Sequence, residues 1–88
     1  MKTSPDRINV MIADDHQLYL DGLYLAMKNI SFIGHIRQAH NGKEVLDLLG
    51  NEKERMDVLF IDLEMPVISG LDVIPIVLKC YPSIKIII

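Results

Sequence analysis

Four consecutive apolar residues, Val58-Leu59-Phe60-Ile61, stand between Asp57 and Asp62 with no polar interruption. A strand of that kind has to be covered on both faces, a condition met by an interior strand of a parallel sheet. Parallel neighbours need long crossover connections, and the rest of the chain is patterned to supply them. Ile8 to Ala13 (INVMIA) is short, apolar and rich in branched residues, so it reads as a second buried strand. From about His16 to Asn29, the residues Leu20, Leu23, Tyr24 and Met27 fall on one stripe of a helix, with Asp14 or Asp15 as the expected N-cap. Phe32 to Ala39 reads as an edge strand, because Gly34, His35, Arg37 and Gln38 interrupt its apolar pattern. His40-Asn41-Gly42 signals a turn or cap before a short helix over Lys43 to Leu49, closed by Gly50-Asn51. A third helix is expected from Leu71 to about Tyr81, with Leu71, Ile74 and Leu78 facing inward. Pro75 lies inside it and removes one backbone donor, which predicts a kink or a later start. Ile84 to Ile88 opens a fourth strand, and its Ile84, Ile86 and Ile88 are expected to share one face.

The resulting order, β-α-β-α-β-α-β, predicts an α/β domain with a parallel sheet, right-handed crossovers and helices on both faces. With 88 residues, half of them hydrophobic, the chain has room for one such domain, expected over residues 8–88 behind a polar tail at 1–7. The net charge of −3 and the scattering of nine basic residues argue against a nucleic-acid surface in this chain. A single cysteine, Cys80, cannot form an internal disulfide, and no Cys/His cluster has zinc-ligand spacing, so a reducing cytoplasm is the expected location. Cys80 itself reads as a half-buried helix residue. No apolar run approaches the roughly 20 residues that a membrane span requires.

In doubly wound sheets, sites form beyond the carboxyl ends of the strands where strand order reverses. If the first and third strands are neighbours, Asp14, Asp15 and Asp62 arrive together at that edge. Each acid has a plainer reading: Asp14 or Asp15 as a helix cap, Asp62 as a turn residue. Their joint placement after two separate strands is what suggests chemistry. Three ionised carboxylates in one crevice disfavour one another, so a positive charge is expected among them. Oxygen donors of this kind suit Mg2+, and a carboxylate beside that ion can act as a nucleophile toward a phosphoryl group. His16 follows the acid pair and reads as a solvent-facing residue of the first helical turn. His35 and His40 read as an edge-strand and a loop residue, and the methionines as packing.

These residues resemble a known family. An acid pair directly after the first strand (IADDH) and an aspartate ending the third strand, followed by Met-Pro and then Gly (IDLEMPVISG), resemble the receiver domain of bacterial two-component response regulators. The stretches IADDHQLYLDGL and MPVISGLDVI further resemble receivers that precede a LuxR-type helix-turn-helix output domain. The resemblance runs from Ile8 to Ile88 and implies a flavodoxin-like, three-layer, doubly wound parallel sheet of order 2-1-3-4. It also implies a role for each matching residue. Asp62 would be the phosphoacceptor, taking its phosphoryl group from a phosphohistidine on a sensor kinase or from a small phosphodonor. Asp15 would bind Mg2+ directly, Asp14 through water, and Glu64 through its backbone carbonyl. Met65, Pro66 and Gly70 would shape the loop around the site, while the Glu64 side chain would tune hydrolysis of the acyl phosphate or simply be a solvated loop acid.

The family pattern continues further than this sequence. Receivers of this kind have five strands and five helices, and here the chain stops inside the fourth strand. The Ser/Thr after that strand, the aromatic residue and the Lys of the fifth strand, and the last two helices are not in it. The exposed apolar edge of the fourth strand is therefore expected to pair with another copy. Two rival functions follow from the same residues. One is a receiver-derived interaction fragment that no longer switches. The other is a Mg2+-dependent phosphohydrolase, whose usual second acid would be Glu64, although the Met-Pro that follows belongs to the receiver pattern.

Overall fold

A computed structural model describes residues 7–51 and 55–88. Most of the expected tail, and the middle of the polar run expected as a solvated loop, lie outside these described residues. The elements are β1 (Ile8–Ala13), α1 (Gln17–Met27), β2 (Ile33–Ala39), α2 (Gly42–Asn51), β3 (Val58–Ile61), α3 (Gly70–Cys80) and β4 (Lys85–Ile87). The four strands form one parallel sheet in the order β2-β1-β3-β4. This is the doubly wound arrangement expected from the alternating pattern. None of the helices among the described residues is long and apolar enough to cross a membrane.

The sheet separates two cores because successive residues of a strand point to opposite faces. Met11 and Ala13 of β1, with Leu59 and Ile61 of β3, pack under α2 and α3 against Val45, Leu49, Val73 and Val77. On the other face, Val10 and Ile12 pack with Leu20 and Met27 of α1. Each fully buried side chain of this size contributes about 1.5–3 kcal/mol relative to leaving it in water. Among the described residues the two faces are unequally covered, since α2 and α3 lie on one and α1 on the other. Val58 and Phe60 point to the α1 side and are only half-buried, so the expectation that both faces of β3 are sealed holds for one face.

Where β1 passes Asn9 its register against β2 shifts, and the Asn9 side chain replaces the interrupted ladder. Asn9 Oδ1 accepts from His35 N at 2.9 Å, while Asn9 Nδ2 donates to the Arg55 carbonyl at 2.7 Å.

The helices differ from the sequence reading in which residues they turn inward. In α1, Leu20 and Met27 are buried and Leu23 half-buried, but Tyr24 is 40% exposed. Its N-cap is His16 and neither aspartate, although the Asp14 carboxylate accepts from the His16 backbone N–H at 2.9 Å. α2 runs through Gly50 to Asn51 without a left-handed glycine, so Gly50 is not the stop that its position suggested. Asn41 Oδ1 instead fixes its start by accepting from Glu44 N, and Glu44 Oε1 accepts in return from His40 N.

α3 begins at Gly70, one residue earlier than expected, and continues past Pro75. Ser69 caps it by accepting from Asp72 N at 3.3 Å. Its inner face is Gly70, Val73 and Val77, whereas Leu71 is 61% and Leu78 57% exposed. Cys80 is likewise exposed, contrary to the half-buried reading. Ile84 and Ile86 join the α3-side core, but Ile88 is exposed, so the expected three-residue face is realised by two.

Candidate functional site

Backbone hydrogen bonds just past the strand ends place the acids. Asp14 N donates to the Ala39 carbonyl and Asp62 N to the Ala13 carbonyl, both at 3.0 Å. The parallel ladder thus carries on for one residue beyond each strand, and the two carboxylates leave neighbouring strands at the same height. A strand rises about 3.3 Å per residue, so a register slip of one position would separate them and turn one to the opposite face.

The expected convergence is present. Asp14, Asp15, Asp62 and also His16 each offer one ligand atom, and these atoms lie within 4.8 Å of one another. The Asp14 side chain is 13% exposed and that of Asp15 36%, so the cluster grades from half-buried to open. His16 was read as facing solvent, and its side chain is 73% exposed, yet its Nδ1 lies 2.6 Å from Asp14 Oδ1 and 3.1 Å from Asp15 Oδ1. The hydrogen bond that the ring donates to the Asp14 carboxylate, with the negative charges of Asp15 and Asp14, raises the His16 pKa above its ordinary 6.5. The sequence did place His16 next to the acids. What it lacked was the ring's direction, which depends on the extended N-cap conformation (φ −101°, ψ 102°) turning the ring back over residues 14 and 15.

A groove of about 420 Å³ opens beside the cluster. Asp14, Asp62 and Glu64 line its polar end, and Leu20, Phe60 and Ile87 are among the apolar side chains lining the rest. Asp62 Oδ1 accepts from the Glu64 backbone N–H at 3.2 Å, which ties the acid to the first turn of the loop after β3. The Glu64 side chain is exposed. Met65 is buried and anchors the loop in the α3-side core, and Pro66 is exposed.

Two glycines clamp this loop from below. A Cβ on Gly70 would overlap the Asp62 carbonyl, and one on Gly42 would overlap the Ile68 carbonyl. Gly42 N also donates to that Ile68 oxygen at 2.9 Å. The sequence marked Gly42 as a turn signal, but its use here is close approach of α2 to the site loop. Between the clamps, Val67 adopts φ 70°, a left-handed conformation that a β-branched residue rarely takes. His40, read as a loop residue, links α1 to α2 nearby: its Nε2 is 2.6 Å from Gln17 Oε1 and its Nδ1 2.9 Å from Glu44 Oε1. The His40 hydrogen bonds lower the Glu44 pKa below its ordinary 4.5.

The donor set fits a small divalent cation: carboxylate oxygens from two strand ends, close enough to share one ion, with the His16 ring drawn to them. Oxygen ligands of this type suit Mg2+, Mn2+ and Ca2+.

The chain is also similar to known proteins. The model of the response regulator receiver domain matches residues 10–88. Response regulator GacA of Pseudomonas aeruginosa is 32% identical over 81 residues, covering 92% of this chain and 37% of that protein. A protein-glutamate methylesterase/protein-glutamine glutaminase of Azospirillum brasilense is 32% identical over 82 residues, 93% of this chain and 20% of its own length. Among solved structures, the RcsB response regulator of Salmonella typhimurium superposes with a TM-score of 0.80 at 27% identity, over 92% of this chain and 41% of that one. The chain therefore spans well under half of each of these relatives. Matching sequence, the 2-1-3-4 parallel sheet and the acids at its carboxyl edge agree with one another, and the chain belongs to the response regulator receiver domain family.

Proposed function

We propose that this domain accepts a phosphoryl group on Asp62 with the help of Mg2+. The observation that carries the reading is the convergence of Asp14, Asp15 and Asp62 within 4.8 Å at the mouth of an open groove. Asp14, Asp15, Asp62 and the backbone carbonyl of Glu64 would hold the cation. When bound, Mg2+ offsets charge on the phosphoryl oxygens and orients them.

The chemistry otherwise falls to the chain. A carboxylate oxygen of Asp62 forms a bond to phosphorus as the P–N bond of a phosphohistidine donor breaks. The electron pair of that bond stays on the donor imidazole, which takes up a proton, and Asp62 becomes an acyl phosphate. The hydrogen bond from Glu64 N to Oδ1 fixes the attacking carboxylate, so little conformational freedom is lost at transfer. The donor is a sensor histidine kinase or a small phosphodonor, and the site regulates instead of turning over a substrate.

We propose further that the domain controls a DNA-binding output. The likeness to RcsB, a response regulator studied for its DNA interaction, supports this, and the acidic balance of the present chain is consistent with DNA contacts made by a separate domain. Self-pairing along β4, which is bonded to β3 on one side, is the proposed contact between copies.

Incubation with phosphoramidate and Mg2+ should attach one phosphoryl group per chain, and Asp62→Asn should remove it. Continuous release of phosphate from a phosphate ester, with no stable labelling, would instead support the phosphohydrolase reading.

A further inference from the structure

We propose that His16 supplies a nitrogen ligand to the carboxylate centre, so that the site holds first-row transition ions more tightly than an all-oxygen site would and discriminates less in favour of Mg2+. This inference rests on the reading that Asp14, Asp15 and Asp62 hold a divalent cation. It goes beyond that reading in assigning a fourth side chain and a change in ion preference.

Geometry is the first argument. Around an octahedral ion with ligands at about 2.1 Å, adjacent donor atoms are about 3.0 Å apart and opposite ones about 4.2 Å. His16 Nδ1 stands 3.1 Å from Asp15 Oδ1, the separation of adjacent ligands, and 2.6 Å from Asp14 Oδ1 in a hydrogen bond whose proton ion binding would release as that pair opens to ligand spacing. The whole four-residue set spans no more than 4.8 Å, so closing it onto one ion takes roughly half an ångström of movement. The His16 ring is 73% exposed and held by its contact with Asp14 Oδ1, so the adjustment exchanges that contact for the ion without unpacking the core.

The backbone supplies the second argument. Asp14 Oδ1 accepts from His16 N at 2.9 Å, and this bond fixes the extended conformation that aims the ring back at the acids. His16 is thus directed to the cluster by the same residue whose carboxylate belongs to it. Ion preference follows from donor type: imidazole suits Zn2+, Co2+, Ni2+ and Cu2+, whereas Mg2+ favours carboxylate, carbonyl and water. Replacing one water by an imidazole therefore benefits the transition ions and gives Mg2+ little.

Mn2+ and Co2+ are suitable probes, compared between wild type and His16→Gln. Pulsed electron paramagnetic resonance of the Mn2+-loaded wild type should show a directly coordinated 14N, and that signal should vanish in His16→Gln while Mn2+ remains bound. The Mg2+ concentration that displaces half of the bound Co2+ should fall about tenfold or more in the variant, a loss of the order seen on removing even an outer-shell partner. Bound Mn2+ with oxygen-only coordination in the wild type, or a Co2+-to-Mg2+ preference unchanged by His16→Gln, would overturn the role of His16 and leave the carboxylate site standing. No binding of Mn2+ or Mg2+ to the wild type would overturn both.

Discussion

Val67 is the residue at which local preference and the fold disagree most. Its φ of 70° is one that glycine or asparagine takes readily and a β-branched side chain does not, and such a conformation costs of the order of 1–3 kcal/mol. The side chain is 74% exposed, so it gains nothing by burial that could offset the strain. Val67→Gly should relieve the strain and give back about 0.5–1 kcal/mol through the freer unfolded chain. The expected net result is a gain of about 1 kcal/mol, visible as a thermal midpoint higher by several degrees. A lower midpoint would mean that the left-handed conformation is not strained. The loop's fixed ends explain why Val67 is held there: Met65 is sunk in the core and Gly70 lies against Asp62. Nothing in the letters MPVISG marks that conformation. It arises from the two clamps, which bring together residues far apart in the chain. His16 was hidden for a related reason. Its neighbours in sequence were visible, but the direction of its ring is set by the backbone at the N-cap.

At the scale of elements, strands were read closely and helix faces were not. INVMIA and VLFI each admit one buried pattern, and the acids that follow them marked where the strands stop. The segment GLDVIPIVLKC admits two, because Leu71, Ile74 and Leu78 form one apolar stripe and Gly70, Val73 and Val77 another, rotated by one residue. Periodicity cannot choose between them. Packing does: the small Gly70 and compact valines let α3 approach the sheet and the Asp62 backbone, leaving the longer leucines outside. Gly70→Ala should therefore cost about 2 kcal/mol or more, since the overlap is with backbone that cannot move aside. For a domain of this size that lowers the thermal midpoint by roughly 10 °C. Gly22→Ala is the matched control, because a Cβ there meets nothing within 4 Å and a helix interior favours alanine by about 0.5–1 kcal/mol. Equal effects of the two substitutions would contradict this account of the α3 docking.

Among the described residues, β4 has one paired and one open side. The strand is bonded to β3, and Ile87 and Ile88 beside it are 44% and 78% exposed. A protein of these 88 residues is expected to self-associate there, with sedimentation coefficients that rise with concentration. Ile87→Lys should reverse this by placing a charge at the edge. A monodisperse monomer across the same range would refute it. The central claim concerns the opposite feature of the molecule, the carboxyl edge where three acids from two strand ends meet. Its most direct test is the intact mass of the protein after exposure to phosphoramidate. With Mg2+ present the mass should rise by a single phosphoryl group, and it should stay unchanged when the metal is chelated or when Asp15 is replaced by Asn. A wild-type protein that gains no phosphoryl group with Mg2+, or gains one equally well without metal, would contradict the assignment of this cluster as a cation-assisted phosphoacceptor.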